Sequence, residues 1–288
     1  MNSEINILQR IIENNENVII RAEYLQTEHQ IKCGTELLKG RWVDEDQVEK
    51  LLKKLGKQLE INNGYVVIEN GVATEHKRNL KYRKYENLNT IETQEYKVKY
   101  SLSCFYGKVY FYDGDGCDFV VKGLGKFGDQ DDLDTLYREI DVFLAIGGQE
   151  HISGIIKMLG VVRNEDGDVI GIALEKGERF VAENITQAQK AELCDGVAYL
   201  HSRGYIHCDI KEPNVVIVNE HAKLIDIGSC LAVDDKTSAI FMTEDCGDPK
   251  LLTGERGRPG FEFDIYCLCK LFGLDSTKYK TIEDIKKA

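Results

Sequence analysis

The stretch YLHSRGYIHCDIKEPNVVI, residues 199–217, decides the fold of this chain. It is typical of a helix end, a polar loop and the start of a strand, and the loop carries Asp209, Lys211 and Asn214. Twelve residues past Asn214, a second carboxylate, Asp226, stands at the end of a predicted hairpin. Such a set of side chains can orient a hydroxyl group, neutralise a phosphate and hold Mg²⁺ through oxygen ligands.

These residues resemble two motifs of the eukaryotic-type protein kinases. HCDIKEPN, residues 207–214, is similar to the family's HRDxKxxN catalytic loop, and Asp226-Ile-Gly228 is similar to its DFG motif. The resemblance implies that Asp209 accepts the proton of the substrate hydroxyl and that Lys211 is a cation near the transferring phosphoryl group. It implies that Asn214 and Asp226 bind the metal. A chance polar loop is a poor alternative, because both motifs occur in the right order and spacing.

The resemblance extends to an ATP site with Mg²⁺ as the metal. Phe119-Val-Val-Lys122 looks like the VAIK strand, which implies that Lys122 contacts the α- and β-phosphates and pairs with Glu139. Ile172–Gly177 resembles the hinge that binds adenine through backbone hydrogen bonds, and Asp264 the helix aspartate that braces the catalytic loop. The implied nucleotide-binding residues are Gly107, Val109, Val120, Lys122, Leu174, Glu175 and Val216.

A second glycine-rich segment, GLGKFG at 123–128, looks like a phosphate-binding loop but lies in the wrong place for one. Glycines at this spacing after a strand can cradle a phosphate, but in a kinase the glycine loop precedes the VAIK strand. The corresponding segment is Leu102–Val109, where only the last glycine of the motif, Gly107, is present. A dinucleotide-binding fold requires an acidic residue after a second strand about 20 residues on, and the pattern there is helical. We therefore expect GLGKFG to be a flexible link into the Glu139 helix.

Several positions depart from the kinase pattern. Cys208 replaces the arginine of HRD, so the usual partner of an activation-loop phosphate is absent, and Val120 replaces the usual alanine. Asp248-Pro-Lys250 stands where the family has Ala-Pro-Glu. The sequence ends about two dozen residues after Asp264, which predicts a shortened large lobe.

The predicted elements give an α+β, two-lobed kinase-like fold at 97–288, with a small lobe at about 97–175 and a large lobe at about 176–288. Apolar periodicity predicts a helix at 132–145, with Leu144 on its buried face, and a second helix from the capping box at Thr186 to His201. The remaining predicted elements are strands at 106–112, 117–122, 158–163 and 169–175, and a hairpin at 214–227.

The kinase resemblance covers roughly residues 97–272 and does not extend to residues 1–96. We predict an N-terminal extension of two or three helices and a short hairpin, with its best helix at 44–60 and a strand after the turn at 61–64. The basic stretch KRNLKYRK, at 77–84, has two readings. A solvated linker is favoured, and a site for an anionic ligand, such as a lipid headgroup or an inositol phosphate, is the alternative.

Composition narrows the class of protein further. The net charge of −12 argues against nucleic-acid binding. No apolar run approaches the roughly 20 residues that cross a bilayer, and the N-terminus lacks the apolar core of a secretion signal. Nine cysteines without a CxxC pair fit buried thiols in a reducing cytosol, including the host cytosol if the protein is a pathogen effector.

The functional expectation is a serine/threonine protein kinase that transfers phosphate from ATP to a protein hydroxyl, since a lysine at position 211 is typical of that branch. Two alternatives stay open. A weakly active or inactive pseudokinase that acts as a scaffold would fit the degraded glycine loop. A kinase-fold enzyme that phosphorylates a small molecule would fit the short large lobe.

Overall fold

The computed structural model divides into two compact units, Met1–Lys81 and Tyr82–Ala288. The division falls after residue 81, not after residue 96 as predicted, so the segment before β8 belongs to the second unit. The structure describes residues 5–12, 18–24, 27–33, 38–39, 42–43, 47–48, 50, 64–69, 72–77, 80–94, 96–104, 107–113, 117–124, 130–234 and 259–288.

The first unit contains a five-stranded sheet in the order β1-β2-β3-β6-β7. Strands β3 and β6 are parallel, and the other neighbours are antiparallel. A separate two-stranded pairing joins β4 to β5. The strands are β1 Ile5–Ile12, β2 Val18–Tyr24, β3 Thr27–Cys33, β4 Leu38–Lys39, β5 Trp42–Val43, β6 Gly64–Glu69 and β7 Val72–Lys77.

This sheet corrects the prediction of a mainly helical extension. Ile5, Leu8 and Ile12 fit helical spacing, but the same segment is rich in β-branched isoleucine, which favours extended backbone once a partner strand is present. The strand predicted after the turn at 61–64 corresponds to β6. Of the predicted helix at 44–60, Gln47, Val48 and Lys50 are helical, and the other residues lie outside the described part of the chain.

The second unit begins with an antiparallel sheet in the order β11-β12-β10-β9-β8. The alternation of buried and half-buried residues along β10 places Val121 in the core and turns Lys122 to the other face. The strands are β8 Lys97–Cys104, β9 Gly107–Asp113, β10 Phe119–Gly123, β11 Met158–Arg163 and β12 Val169–Glu175.

Helix α1, Gln130–Ile146, packs beside this sheet. Its buried face repeats at helical spacing through Leu133, Tyr137 and Ile140, and Glu139 is also fully buried. Leu144 is 41% exposed, contrary to the prediction, although it stands four residues after the buried Ile140. Of the GLGKFG segment, Gly123 ends β10, and residues 125–129 lie outside the described residues.

The rest of the second unit combines helices with short hairpins. Helix α2, Gln187–Ser202, begins at the predicted capping box, in which Thr186 and Gln189 exchange side-chain and backbone hydrogen bonds. The other helices are α3 Phe261–Leu271 and α4 Ile282–Lys287. The strands are β13 Glu178–Arg179, β14 Tyr205–Ile206, β15 Val215–Val218, β16 His221–Leu224 and β17 Leu231–Ala232. Together they confirm the predicted α+β, kinase-like fold.

One buried cluster joins these helices and hairpins. It brings Val197 of α2, Leu224 of β16, Phe263 of α3 and Ile285 of α4 together. Six cysteines in the described residues are free thiols with buried side chains: Cys117, Cys194, Cys208, Cys230, Cys267 and Cys269. Within the described part of the chain, no helix combines the length and apolar character needed to span a membrane.

A close approach between two glycines fixes the turn after Ser153 against α2. Gly154 has a left-handed φ of +71°, and a Cβ built on it would lie 2.0 Å from the carbonyl oxygen of Glu192 and 2.9 Å from the backbone nitrogen of Gly196. Only glycine fits this contact without a backbone shift. The turn also connects to the core, since the carbonyl of Gly154 accepts from the backbone N–H of Leu224 at 2.8 Å.

We therefore expect Gly154→Ala to lower the free energy of unfolding by about 2–4 kcal/mol, combining the left-handed backbone with overpacking. Gly147→Ala is the matched control, because Gly147 has a φ of +72° and no atom within 4 Å of a built Cβ. Gly147→Ala should lower the free energy of unfolding by only about 1–2 kcal/mol. Urea unfolding of both variants measures the difference, and equal losses would contradict the steric argument.

Candidate active site

A cavity of about 420 Å³ lies between the sheet of the second unit and the loops that flank β15 and β16. Its apolar wall comes from both sides, with Val109, Val120 and Leu174 on the sheet and Val216 and Ile225 opposite. Lys122, Glu139, Asn214 and Asp226 form its polar end. The cavity thus offers an apolar space that leads to a cluster of charges.

Lys122 is the centre of the polar end. Its ammonium nitrogen lies 2.7 Å from Oε2 of Glu139 and 2.6 Å from Oδ1 of Asp226. The three side chains come from β10, from α1 and from the turn after β16, so one cation joins three elements. The exposed fractions are 13% for Lys122, 0% for Glu139 and 37% for Asp226.

Burial and charge act in opposite directions on this cluster. Burial lowers the pKa of Lys122, but the carboxylates of Glu139 and Asp226 outweigh it and raise that pKa above its ordinary value. Burial raises the pKa of Glu139, and the nearby Lys122 only partly opposes this. Burial also acts to raise the pKa of Asp226, but Lys122 lowers it more. At neutral pH the lysine is a cation and Asp226 a carboxylate.

The loop between β14 and β15 holds the second group of predicted residues. Nζ of Lys211 lies 2.7 Å from Oδ2 of Asp209, and Nδ2 of Asn214 donates to the same oxygen at 2.8 Å. Nδ2 of Asn214 also donates to the backbone carbonyl of Asp209 at 2.8 Å. These contacts fix the Asp209 carboxylate, and they settle which end of the Asn214 amide carries the donor.

A buried carboxylate on α3 braces the backbone of this loop. Asp264 is fully buried and accepts hydrogen bonds from the backbone N–H groups of His207 at 2.8 Å and Cys208 at 3.0 Å. Its Oδ2 also lies 2.9 Å from Nε2 of His201. Cys208 has a left-handed φ of 68°, which is uncommon for a residue with a side chain. The three contacts of Asp264 hold that conformation in place.

His207 connects the loop to the segment that carries Asp226. Its Nε2 lies 3.1 Å from the carbonyl oxygen of Ile225, and its Nδ1 lies 3.3 Å from the backbone N–H of Asp209. These partners assign Nε2 as the donor and Nδ1 as the acceptor. Asp226 itself has a left-handed φ of 60°. Two strained residues thus stand on either side of one histidine, as is common at functional sites.

The predicted hinge residue Glu175 has a contact that the sequence did not reveal. Its Oε2 accepts from Nζ of Lys223 at 2.6 Å and from the backbone N–H of Lys157 at 3.1 Å. Lys223 is 3% exposed and lies on β16. The pair ties the end of β12 to the opposite hairpin behind the cavity. Lys223 is a single lysine in a four-residue strand, and nothing in the sequence around it indicates that it pairs with Glu175.

The one remaining predicted residue, Gly107, lies at the edge of the site. It begins β9, pairs with Cys104 of β8 and stands two residues before Val109 in the cavity wall. Sequence reasoning missed Leu102 and Phe111, which also line the cavity. Both are apolar strand residues, whose type alone does not separate a cavity wall from a core.

Part of the basic stretch at 77–84 has internal partners. Nη1 of Arg83 lies 3.0 Å from Oδ2 of Asp141, and Nζ of Lys84 donates to the carbonyl of Asp166 at 2.9 Å. Arg78 and Asn79 lie outside the described residues. The anionic ligand at Lys77–Lys84 stays a prediction.

The charge cluster predicts a pH-dependent response to Lys122→Met. The change leaves Glu139 buried beside no cation, at a cost of about 3–5 kcal/mol of unfolding free energy at neutral pH. Loss of the cation raises the folded-state pKa of Glu139 further, while its unfolded value stays near 4.3. A raised folded pKa removes stability as the pH rises above the unfolded pKa, so the loss should be larger at pH 8 than at pH 5.

Urea unfolding of the parent and variant at both pH values measures this effect. The double variant Lys122→Met/Glu139→Gln removes the buried charge as well and should recover most of the loss at pH 8. A penalty that is the same at pH 5 and pH 8 would show that Glu139 is not the buried charge that lysine stabilises.

One protein family and several kinases from other organisms are similar in sequence to this chain. The family described as "Protein kinase domain" matches residues 105–272. NUAK family SNF1-like kinase 1 of Mus musculus is 31% identical over 213 residues, which cover 67% of this chain and 29% of that protein. Protein kinase C zeta type of Oryctolagus cuniculus is 28% identical over 151 residues, covering 49% of this chain and 25% of that protein. Serine/threonine-protein kinase kin-29 of Caenorhabditis elegans is 29% identical over 153 residues, with 49% and 18% covered.

The chain spans less than a third of the length of these relatives. The matched region contains the Lys122 cluster, the loop around Asp209 and every lining residue of the cavity except Leu102, and it includes more than half of the chain. The resemblance read from HCDIKEPN and Asp226-Ile-Gly228 is thereby confirmed, and the chain belongs to the eukaryotic-type protein kinase family.

Proposed function

We propose that the protein is a serine/threonine kinase that transfers the γ-phosphate of ATP, with Mg²⁺, to a hydroxyl group of a protein substrate. The observation that carries this proposal is the joint placement of Lys122 between Glu139 and Asp226 at the end of an apolar cavity. A scaffold has no need of a three-charge cluster in which Glu139 is fully buried, because a buried charge is costly to maintain.

The cavity fits ATP in shape and polarity. Val109, Val120, Leu174 and Val216 provide apolar surfaces on two sides of the cavity, as a nucleobase requires. Lys122 lies at the far end, where phosphates attached to such a base would reach. Its raised pKa keeps it charged at all physiological pH values, so it is suited to bind phosphate oxygens.

The oxygen ligands present fit Mg²⁺. Because Nδ2 of Asn214 donates twice to Asp209, the amide presents Oδ1 as its acceptor end. Asp226 is ionised and partly exposed at the same end of the cavity. A carboxylate and an amide oxygen are the hard ligands that Mg²⁺ takes, together with phosphate oxygens and water. The bound metal would neutralise charge on the phosphates.

Asp209 is the residue we assign to the substrate hydroxyl. Lys211 and Asn214 hold its Oδ2, and Asp264 fixes the backbone on which it stands. A carboxylate placed in this way orients a hydroxyl group and accepts its proton as the phosphoryl group is transferred. Lys211 adds positive charge beside the developing phosphate charge. Phosphoryl transfer depends mainly on such positioning and charge neutralisation.

The relatives' names support the serine/threonine class, since kin-29 is a serine/threonine-protein kinase. The free, buried thiols support a reducing compartment such as the cytosol. A transfer assay that contains both proteins and metabolites separates the proposed protein substrate from the small-molecule alternative.

The first test is transfer of labelled phosphate from ATP and Mg²⁺ to a basic protein mixture and, in parallel, to a metabolite mixture. Asp226→Ala should lower turnover by at least 100-fold, since it removes a metal ligand, and Asp209→Asn should do so with nucleotide affinity within about threefold of the parent. Asp166→Asn changes an exposed turn carboxylate and serves as the control. Turnover in both site variants equal to that of the control would refute the enzyme assignment.

A further test concerns the brace under the loop. Asp264→Asn replaces an acceptor by an amide that can meet a backbone N–H with its own N–H, and we expect a loss of about 3 kcal/mol or more of unfolding free energy. Asp195→Asn is the control, because Asp195 forms an exposed ion pair with Lys286 and should lose no more than about 1 kcal/mol. Thermal or urea unfolding compares them, and a mild effect at Asp264 would mean that the loop holds its shape by other contacts.

A further inference from the structure

The segment 82–91, which we call the strap, pairs with β11 at the edge of the sheet of the second unit. The backbone of Val161 on β11 donates to the carbonyl of Asn89 at 2.9 Å, and its own carbonyl accepts from the N–H of Ile91 at 2.9 Å. Thr90 forms a parallel bridge with Val161 between these bonds. The strap therefore extends the sheet beyond β11.

Arg163 fastens the strap to the β11–β12 hairpin. Its guanidinium donates to the carbonyl of Tyr85 at 2.5 Å and to Oγ1 of Thr90 at 3.0 Å. The same side chain donates to the carbonyl of Gly167 in the hairpin turn at 3.1 Å. Because one planar group with several donors makes all three contacts, the strap and the hairpin are held as one rigid edge.

The strap also contacts helix α1 through a buried tyrosine. The backbone N–H of Arg83 donates to the hydroxyl of Tyr137 at 2.9 Å, and that hydroxyl donates to the carbonyl of Val169 at 2.9 Å. The N–H of Val169 returns a bond to the carbonyl of Arg83 at 3.2 Å. The three residues form a closed ring of hydrogen bonds between strap, helix and sheet.

A second contact lies one turn further along the same helix. Oδ1 of Asp141 accepts from the hydroxyl of Tyr85 at 2.9 Å, and its Oδ2 lies 3.0 Å from Nη1 of Arg83. The ring of Tyr85 also packs against that of Tyr137, with centroids 5.9 Å apart. Burial, and then the hydrogen bond to Asp141, raise the pKa of Tyr85, so its hydroxyl remains a donor.

Helical geometry relates these contacts to the active site. Tyr137 and Asp141 are four residues apart and share one face of α1, whereas Glu139 projects from the opposite side toward Lys122. On that opposite side the helix is closely packed, since a Cβ on Gly228 would lie 3.1 Å from the Cβ of Glu139. The helix is thus held from one side by the strap and meets the site on the other.

We propose that the strap is a positioning element, which holds α1 in the orientation that keeps Glu139 paired with Lys122. The consequence for phosphoryl transfer rests on the proposed kinase function, and the effect on the helix does not. Tyr85, Tyr137 and Asp141 are the positioning residues, and they act through Glu139 rather than on the nucleotide.

The test compares Asp141→Ala with Asp134→Ala in the full chain. Both residues are aspartates of α1, seven positions apart on the same face, and Asp134 pairs with Gln130 of its own helix at 2.8 Å. Both variants replace an aspartate by alanine in the same helix, so helix propensity changes equally in the two. A difference in exchange or in kcat between them therefore measures the effect of the contacts between Asp141 and the strap. Hydrogen exchange of residues 130–146 is the local measurement, and steady-state kinetics with ATP and Mg²⁺ is the functional one.

Asp141→Ala should speed exchange in α1 at least fivefold and lower kcat at least fivefold, with the KM for ATP within threefold of the parent. Asp134→Ala should leave both within twofold. Asp141→Asn keeps an acceptor for Tyr85 and should restore most of the kcat. Because kcat falls while KM holds, the result differs from general destabilisation.

Equal exchange in α1 of the Asp141→Ala and Asp134→Ala variants would overturn the proposal, as would an unchanged kcat in Asp141→Ala beside faster exchange. If the parent transfers no phosphate, the kinase function fails, and the exchange comparison alone still decides whether the strap holds the helix. Tyr137→Phe is the second variant. It should speed exchange in α1 more than Asp141→Ala, since it breaks the ring of hydrogen bonds with Arg83 and Val169.

Discussion

The arrangement of the second unit depends on the ion pairs of the Lys122 ammonium group. This group stands between carboxylates from a helix and from the loop after a hairpin, so the sheet, α1 and the Asp226 turn meet at one charge. A buried carboxylate such as Glu139 is tolerated only while that cation is near. The cluster therefore specifies one arrangement of three elements, and the same arrangement leaves beside it the apolar cavity that we propose binds ATP.

Much of this could be predicted from the sequence, where local rules and tertiary structure agree. The strands at 158–163 and 169–175 match β11 and β12, and the capping box at Thr186 marks the start of α2. The loop residues Asp209, Lys211 and Asn214 occur within six positions of one another, so any ordered loop brings them close. Their roles in phosphoryl transfer are proposals.

The failures have physical reasons of their own. In the first unit, isoleucine and leucine at mixed spacings suit either a helix or a strand, and the pairing of β1, β2 and β3 decided the outcome. The pairing of Lys223 with Glu175, and that of Arg83 with Asp141, link residues 48 and 58 positions apart. Single-sequence patterns carry no signal at such separations. The acidic partners of Arg83 and Lys84 in the basic stretch likewise lie far away in sequence.

Six buried cysteines within the described residues can report local opening of the molecule. A thiol with no solvent access reacts with an alkylating reagent only during transient opening of its surroundings, so the labelling rate at each cysteine reports the frequency of a local opening. Cys208 stands beside Asp209, Cys230 follows the Asp226 turn, and Cys194 lies in α2 within the core. Mass spectrometry of labelled peptides can therefore measure the opening rate of the loop around Asp209 separately from that of the core. No foreign probe has to be introduced.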